Sequence, residues 1–131
     1  MNAPSEDIKD MLEAESSLGL TFATDLFIGQ EPAEPDNCVT IFDTSGAPPQ
    51  LTYNKTEKYQ YPSIQIRVRN RAYMAGWTLA DDIKDALHGR AHETWNATQY
   101  EVIISTGEPA LLDWDENGRA RFFINFDIQR R

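Results

Sequence analysis

Residues 61–89 read YPSIQIRVRNRAYMAGWTLADDIKDALHG, and two hydrophobic periods meet inside this stretch. Ile64, Ile66 and Val68 alternate with polar side chains, which is the two-residue period of a half-buried strand. From Arg71 onward the period becomes helical, with apolar positions at Ala72, Ala75, Leu79, Ile83 and Leu87. The sequence therefore predicts a strand that runs directly into an amphipathic helix, a stiff corner suited to a scaffold.

Length and composition limit the architecture and the compartment. The chain has 131 residues, of which 40% are hydrophobic, and this predicts one domain over residues 1–131 with one core. No apolar run approaches the roughly 18 residues that cross a bilayer. The acidic first residues are unlike a secretory or transit signal, so we expect a cytosol-like site of synthesis and no membrane partner. The single cysteine, Cys38, excludes an internal disulfide and is expected to be a buried apolar side chain.

Charge is distributed unevenly along the chain. Residues 1–50 contain ten acids and one base, whereas residues 51–131 contain eleven of each, so the net charge of -9 resides in the first part. This asymmetry indicates either a surface that meets a basic partner or a solubilising face. It disfavours general DNA binding, which requires a net basic footprint.

The remaining segments complete an α+β prediction. Ser5 is expected to cap a first helix that ends near Gly19. Further strands are predicted at residues 20–28, 38–43, 100–104, 110–114 and 120–128, with an Asn-Gly turn at 115–118. Residues 29–37, 44–50 and 90–99 are expected to be connections, and residues 52–58 either extend a loop or form an exposed edge. The predicted fold is a single mixed, mainly antiparallel sheet with two helices packed on one face.

No residue pattern indicates a catalytic, cofactor or metal site. His88 and His92 have the spacing of helical metal ligands, but Gly89 falls between them where the helix is expected to end, and no third ligand is recognisable. The serines lack a nucleophile context, and the glycines form no phosphate-binding loop. No carboxylate lies inside an apolar run, and Asp113, between Leu112 and Trp114, is the nearest case. We therefore expect a protein that is not an enzyme.

Basic and aromatic side chains on two strands form the candidate interface. Arg67 and Arg69 share the outward face of one strand, Arg71 follows at the helix entry, and the last strand repeats the pattern. Such a row persists when carboxylates lie opposite, either in the same chain or in a neighbouring copy. Large aromatic residues lie off the apolar faces of their elements, where they mark an interface or are covered by a second layer. The candidate interface residues are Arg67, Arg69, Arg71, Arg119, Arg121, Phe27, Phe123 and Trp77.

The order of these segments resembles a known family. A proline-punctuated acidic loop at 31–38 precedes an Asp-Thr-Ser-Gly turn at 43–46, the strand at 61–69 and a helix follow, and an Asp-Glu-Asn-Gly-Arg hairpin at 115–119 introduces the last strand. This pattern, from about Ile8 to Ile128, is similar to the bacteriophage minor capsid family grouped with the tail terminators of long-tailed phages.

The resemblance implies a structural virion protein without catalytic residues. Tail terminators of this type assemble as a ring, commonly six-fold, at the head-proximal end of the tail tube, where they end tube polymerisation and join the tail to the neck. The expected partners are further copies of the chain, the tail tube protein and the neck or head–tail connector protein, with DNA passing through the lumen without specific binding. Two alternatives remain: a head–tail connector or head completion protein of similar build, and a small phage-encoded protein-binding module.

Overall fold

The structure, a computed structural model, describes residues 1–51 and 58–131, so the predicted edge or loop at 52–58 falls outside the described residues except for Lys58. The described residues form two helices and seven strands. In chain order these are α1 (Pro4–Ala14), β1 (Leu26–Ile28), β2 (Cys38–Leu51), β3 (Lys58–Asn70), α2 (Tyr73–Leu87), β4 (Ala91–Trp95), β5 (Thr98–Ser105), β6 (Ala110–Trp114) and β7 (Ala120–Arg130).

All seven strands join one sheet in the order β1-β2-β3-β7-β5-β4, and β6 pairs with β7 beside the end of β5. β1 runs parallel to β2, and every other pairing is antiparallel. Both helices pack on the same face of the sheet, α1 against β1 and β2, and α2 against β3 and β7. The prediction of an α+β fold with a mixed, mainly antiparallel sheet is therefore confirmed.

The core lies between the helices and the inner face of the sheet, which is the face that the helices cover. The alternation predicted for the last strand is confirmed, because its inward residues are all buried: Ala120, Phe122, Ile124, Phe126 and Ile128. One row of inward residues crosses five strands in register: Leu26, Val39, Val68, Phe122 and Leu111. Only its last member, Leu111 on the edge strand β6, is exposed.

The buried stripe of α2 differs from the predicted one at its start. Ala72 and Ala75 are exposed, and the stripe consists of Gly76, Ala80, Ile83 and Leu87. The cause is a close approach of the helix to the sheet. A Cβ atom on Gly76 would lie 2.9 Å from the Phe122 ring and 3.0 Å from the Asn70 Cβ, so only glycine fits there.

Replacing Gly76 with valine is expected to destabilise the fold by about 1–3 kcal/mol, because the new side chain must displace a fully buried ring. The measurement is the free energy of unfolding in urea. Gly107→Ala is the matched control, since a Cβ there meets nothing within 4 Å. Equal stability of Gly76→Val and the unmodified chain would show that the helix does not press on Phe122.

The predicted N-cap at Ser5 is wrong. Helix α1 begins at Pro4, with Ala3 at the N-cap position, and ends at Ala14 rather than near Gly19. The cap comes from β2 instead: Asp43 accepts hydrogen bonds from the Ser5 backbone N–H at 3.0 Å and from its hydroxyl at 2.7 Å. A carboxylate distant in sequence thus accepts a hydrogen bond from a backbone N–H of the first helical turn, which would otherwise have no partner in the helix, and attaches α1 to the sheet.

Three other segments differ from the prediction. Residues 44–50 belong to β2, whose register with β3 shifts between Thr44 and Ala47 and again before Gln50, and such bulges accommodate prolines at a sheet edge. Residues 91–95 form β4, a short edge strand without apolar alternation. The first strand is only Leu26–Ile28, because Asp25 accepts the Thr21 N–H at 2.8 Å and holds the preceding residues in a turn.

Candidate assembly surface

Most of the predicted interface residues meet on the outer face of the sheet, the face opposite the helices. Phe27, Thr40, Arg67 and Phe123 occupy one row across β1, β2, β3 and β7. The next row contains Cys38, Arg69, Arg121 and Asp113. Trp77 is the exception, because it lies on α2 at the opposite side of the sheet.

The acidic loop, defined as residues 29–37, folds over these arginines. Arg69 donates to the Glu31 carboxylate at 2.9 Å, to the Pro35 carbonyl at 2.6 Å and to the Asp36 carbonyl at 3.1 Å. Its side chain is only 4% exposed. The loop therefore takes its shape from a buried guanidinium that provides donors in several directions.

Glu31 also reduces the repulsion between two arginines that lie opposite each other in the sheet. Arg69 and Arg121 are directly opposite in the β3–β7 register, where two like charges would repel. Glu31 lies 2.9 Å from Arg69 and 3.6 Å from Arg121. Arg121 further binds Asp113 through two hydrogen bonds, one of 2.6 Å from Nε. The pair of arginines is thus balanced by two carboxylates of the same chain.

Asp36, at the end of the acidic loop, connects two more arginines. It accepts from Arg71 at 2.5 Å and lies 3.3 Å from Arg119. Arg119 is buried and also donates to Asp115 at 2.7 Å and to the Ala33 carbonyl at 2.8 Å. We call Arg69, Arg71, Arg119 and Arg121 the arginine cluster; all four form ion pairs within the chain, and an intersubunit role for them remains a prediction.

Arg67 has a different environment from the arginine cluster. It donates to Gln65 at 2.8 Å, and its guanidinium lies 4.8 Å from the centre of the Phe42 ring. No carboxylate within residues 1–51 and 58–131 lies at ion-pair distance from it. Arg67 is half-buried and lies in its row between Thr40 and Phe123.

The arginines lower the pKa of the carboxyls that they contact. The hydrogen bond from Arg71 lowers the pKa of Asp36, and the hydrogen bond from Arg121 does the same to the pKa of Asp113. Burial acts against the pKa shift of Asp115, but hydrogen bonds from the backbone and side chain of Arg119 outweigh it, so this pKa is also lowered.

Acid is expected to destabilise the protein through these carboxyls. A group whose pKa is lower in the folded chain contributes stability above its ordinary pKa of 3.8, and that stability is lost as the pH falls below this value. The melting temperature should therefore decrease between about pH 5 and about pH 3. Asp113→Asn should show a smaller decrease, whereas Glu116→Gln, an exposed residue in the next turn, should behave as the unmodified chain. Identical pH profiles for all three proteins would contradict a role for the Asp113–Arg121 pair.

A second candidate surface lies where α2 meets β6. Trp77 is the only residue of this surface that the sequence analysis predicts. We call Tyr73, Trp77, Leu111 and Trp114 the aromatic patch; each is exposed by more than a third. The Tyr73 ring stacks on Trp114 with centroids 6.1 Å apart and meets the Phe122 ring edge-on at 5.0 Å. The sequence contains one indication of this patch. Leu111 and Leu112 are successive apolar residues on a short strand, and two successive residues cannot both face one core, so at least one of them is expected at the surface.

The histidines are on separate elements. His88 caps the C-terminus of α2, and its Nδ1 accepts the Ser105 N–H at 2.9 Å, whereas His92 lies on β4 at 3.4 Å from Glu101. Among the described residues, no three His, Cys, Asp or Glu side chains are grouped so that they could hold a metal ion. Neither α1 nor α2 has the length and hydropathy of a membrane span.

Comparisons with known proteins give one family and one fold. Residues 15–131 match the family model described as bacteriophage tail terminator protein, a span that includes α2 and all seven strands. No curated protein matches the chain significantly. A chain in the solved structure "Virion of native gene transfer agent (GTA) particle" has a TM-score of 0.70 at 15% identity, with 98% of this chain and 94% of that chain covered. At this identity the likeness establishes a shared fold.

Proposed function

The chain belongs to the bacteriophage tail terminator family, and on this premise we propose that it forms a ring, commonly of six copies in this family, at the head-proximal end of the tail tube. There it ends tube polymerisation and joins the tail to the neck of the capsid. The protein is a structural component of the phage tail and hence of the virion. The role that we propose is mechanical, without a catalytic step.

The family match over residues 15–131 carries this proposal, because it includes every strand of the sheet. The structure adds two supporting features. The acidic loop is fixed on the outer face by the arginine cluster, which gives a rigid surface, and large apolar side chains are exposed at the edge of the sheet. A closed ring requires two different faces on each copy, and the chain offers distinct surfaces for them.

We propose that the predicted interface residues divide into two groups. Arg67, Phe27, Phe123 and Trp77 are only partly covered within the chain and contact neighbouring proteins. The arginine cluster acts indirectly by holding the acidic loop in the shape that the neighbour meets, since Arg69 and Arg119 lie beneath that loop. The neighbours are further copies of the chain, the tail tube protein and the connector protein.

Tube length tests this function. Phage that lack the gene are expected to produce headless tails whose tubes are longer and more variable than normal in electron micrographs, and a plasmid copy of the gene restores the normal length. Tails of normal length that fail to join heads would contradict termination and support the alternative role as a connector protein. Infectious particles of normal yield would contradict both roles and favour a protein-binding module.

A further inference from the structure

Strand β6 is an edge of the sheet that is open among the described residues. It pairs with β7 alone, beyond the point where β5 ends. The Asp115 N–H donates to the Arg119 carbonyl at 2.9 Å, so these two residues are the hydrogen-bonded pair that closes the hairpin. Because such pairs alternate along an antiparallel ladder, the next pair, Trp114 and Ala120, directs its backbone groups away from each other. The Trp114 N–H and C=O therefore point to the open edge.

The side chains along this edge form an apolar surface. On the inner side of β6, Trp114 is 52% exposed and Leu111 is 39% exposed, and Tyr73 of α2 stacks on Trp114. Since a large aromatic side chain has about 150–250 Å² of surface, the aromatic patch exposes on the order of 300 Å². Exposed apolar patches of this size are often functional.

The open edge and the aromatic patch select the same kind of ligand, an extended segment of polypeptide. A segment that adds to a sheet edge gains main-chain hydrogen bonds, and every second side chain faces the same side of the sheet. The five residues Ala110–Trp114 span about 17 Å, so about five residues of ligand cover the strand. The side chains of that segment that face α2 must be apolar in order to pack on the aromatic patch.

Both ends of β6 are acidic. Glu108 precedes the strand with a side chain that is 77% exposed, and Glu116 follows it at an exposed position. Residues 106–119, which are β6 and its flanking turns, contain four acids and one base. Residues 71–87, which are α2 and its entry, contain three acids and two bases. The acids exceed the bases in both segments, so the surroundings of the edge are negative.

The bases around this edge are already paired. Lys84 lies 2.6 Å from Glu108 and is shared with two carboxylates of α2. The arginines of the neighbouring segments also form ion pairs within the chain: Arg71 with Asp36, Arg119 with Asp115, and Arg121 with Asp113. Arg67 lies on β3, with β7 between it and β6. Within residues 1–51 and 58–131, no base lies at ion-pair distance from Glu116, so a ligand with basic ends complements the edge.

A second copy of the chain does not match this edge. Two β6 strands paired antiparallel about their centres would place Glu108 of each copy beside Glu116 of the other, and parallel pairing would also bring like charges together. The other described edge strands are no better. β1 lies between Asp25 and the acidic loop, and β4 contains Glu93, which already binds the adjacent Arg90. The charges therefore favour a different protein as the source of the segment.

We propose that β6 binds an extended segment of a different tail protein by antiparallel strand addition. Apolar side chains of the segment pack on the aromatic patch, and basic residues at its two ends lie next to Glu108 and Glu116. The antiparallel orientation is the more stable form of strand pairing. The proposal rests on the proposed function for the class of partner, a neighbouring protein of the tail, and it does not require that the chain close a ring.

A synthetic peptide, Lys-Val-Thr-Ile-Thr-Val-Lys, tests the site, because its apolar residues alternate and a lysine flanks them at both ends. In an NMR titration of the full chain at low salt, the Trp114 indole and the amides of β6 should shift and saturate. The same peptide with glutamate at both ends should bind at least about fivefold more weakly, and Glu116→Lys should reduce that preference. Trp114→Ala should weaken binding at least about tenfold, whereas Ile104→Ala, which removes a similarly exposed apolar side chain from β5, should not.

Methylation of the peptide nitrogens distinguishes strand addition from apolar contact alone. In the antiparallel arrangement, the residue opposite Trp114 faces the aromatic patch and directs its N–H at β6. Methylating the valine and isoleucine nitrogens should therefore weaken binding at least about tenfold, whereas methylating both threonine nitrogens should not.

Three results would overturn the proposal: no shift at Trp114, equal binding of the lysine and glutamate peptides, or equal or opposite effects of the two methylations. Each of them leaves the tube-length test of the proposed function unaffected. Specific peptide binding by a chain whose deletion leaves tube length normal would overturn termination and retain strand addition.

Discussion

Arg69→Met is expected to destabilise the folded chain by about 3–5 kcal/mol, because removing one partner of a buried ion pair leaves the other without compensation. Glu31 and the carbonyls of Pro35 and Asp36 would lose their donor beneath the acidic loop. The free energy of unfolding in urea measures the effect. Amide exchange should also become faster across residues 29–37 than in the rest of the sheet.

Arg71→Met is the matched control for this prediction. Its side chain is 60% exposed and contacts Asp36 at the surface, so we expect a loss below about 1 kcal/mol. The double variant Arg69→Met with Glu31→Leu removes both partners and should cost less than the sum of the single changes. Equal effects of Arg69→Met and Arg71→Met would contradict the view that the buried arginine holds the loop.

The second large effect is expected at Asp7, which attaches α1 to the sheet. Its fully buried carboxylate accepts from Asn96 at 2.6 Å and from the Tyr100 hydroxyl, and it lies 3.8 Å from the Arg130 guanidinium. Burial and the hydrogen bond to Asp7 raise the pKa of Tyr100, so the phenol stays protonated as a donor. Asp7→Ala would leave this donor and Arg130 uncompensated, at a cost of about 3–5 kcal/mol.

Asp10→Ala is the control for Asp7. Asp10 lies one turn later on α1, is partly exposed and contacts Asn96 and Lys9, so its loss should cost below about 1 kcal/mol. Thermal unfolding measures both variants. Amide exchange should show α1 opening separately in Asp7→Ala, and a variant as stable as Asp10→Ala would show that α1 is held by apolar packing alone.

The sequence predicts the elements whose buried face follows from the alternation of their own residues. β7 alternates without interruption, and β3 alternates from Ile64 to Val68, because one face of each lies on the core. β6 is predicted with its observed bounds. The two-helix, one-sheet architecture follows from these patterns together with α2. The strand–helix corner at Asn70–Tyr73 is also present, with only two residues between the elements.

The prediction fails where a distant partner determines the structure. The prolines of β2 are typical of a loop, but β3 pairs with the residues on either side of them, Ala47 and Gln50, across a bulged register. The partner of Arg69 lies 38 residues away, and Tyr73 meets Trp114 across two elements. Spacing in the sequence contains no information about these contacts, so it leaves open whether the acids opposite the arginine row belong to the same chain or to a neighbouring copy, and of the aromatic patch it indicates only Trp77.

Native mass spectrometry at low salt and at about 1 M salt tests whether the chain assembles into a closed ring. Glu31, Asp36, Asp113 and Asp115 already neutralise the arginine cluster, and the large side chains exposed where α2 meets β6 are apolar. We therefore expect one oligomer of defined copy number that persists at high salt, where charge interactions are screened beyond about 3 Å. A monomer at both salts, or an open series of increasing masses, would contradict the ring.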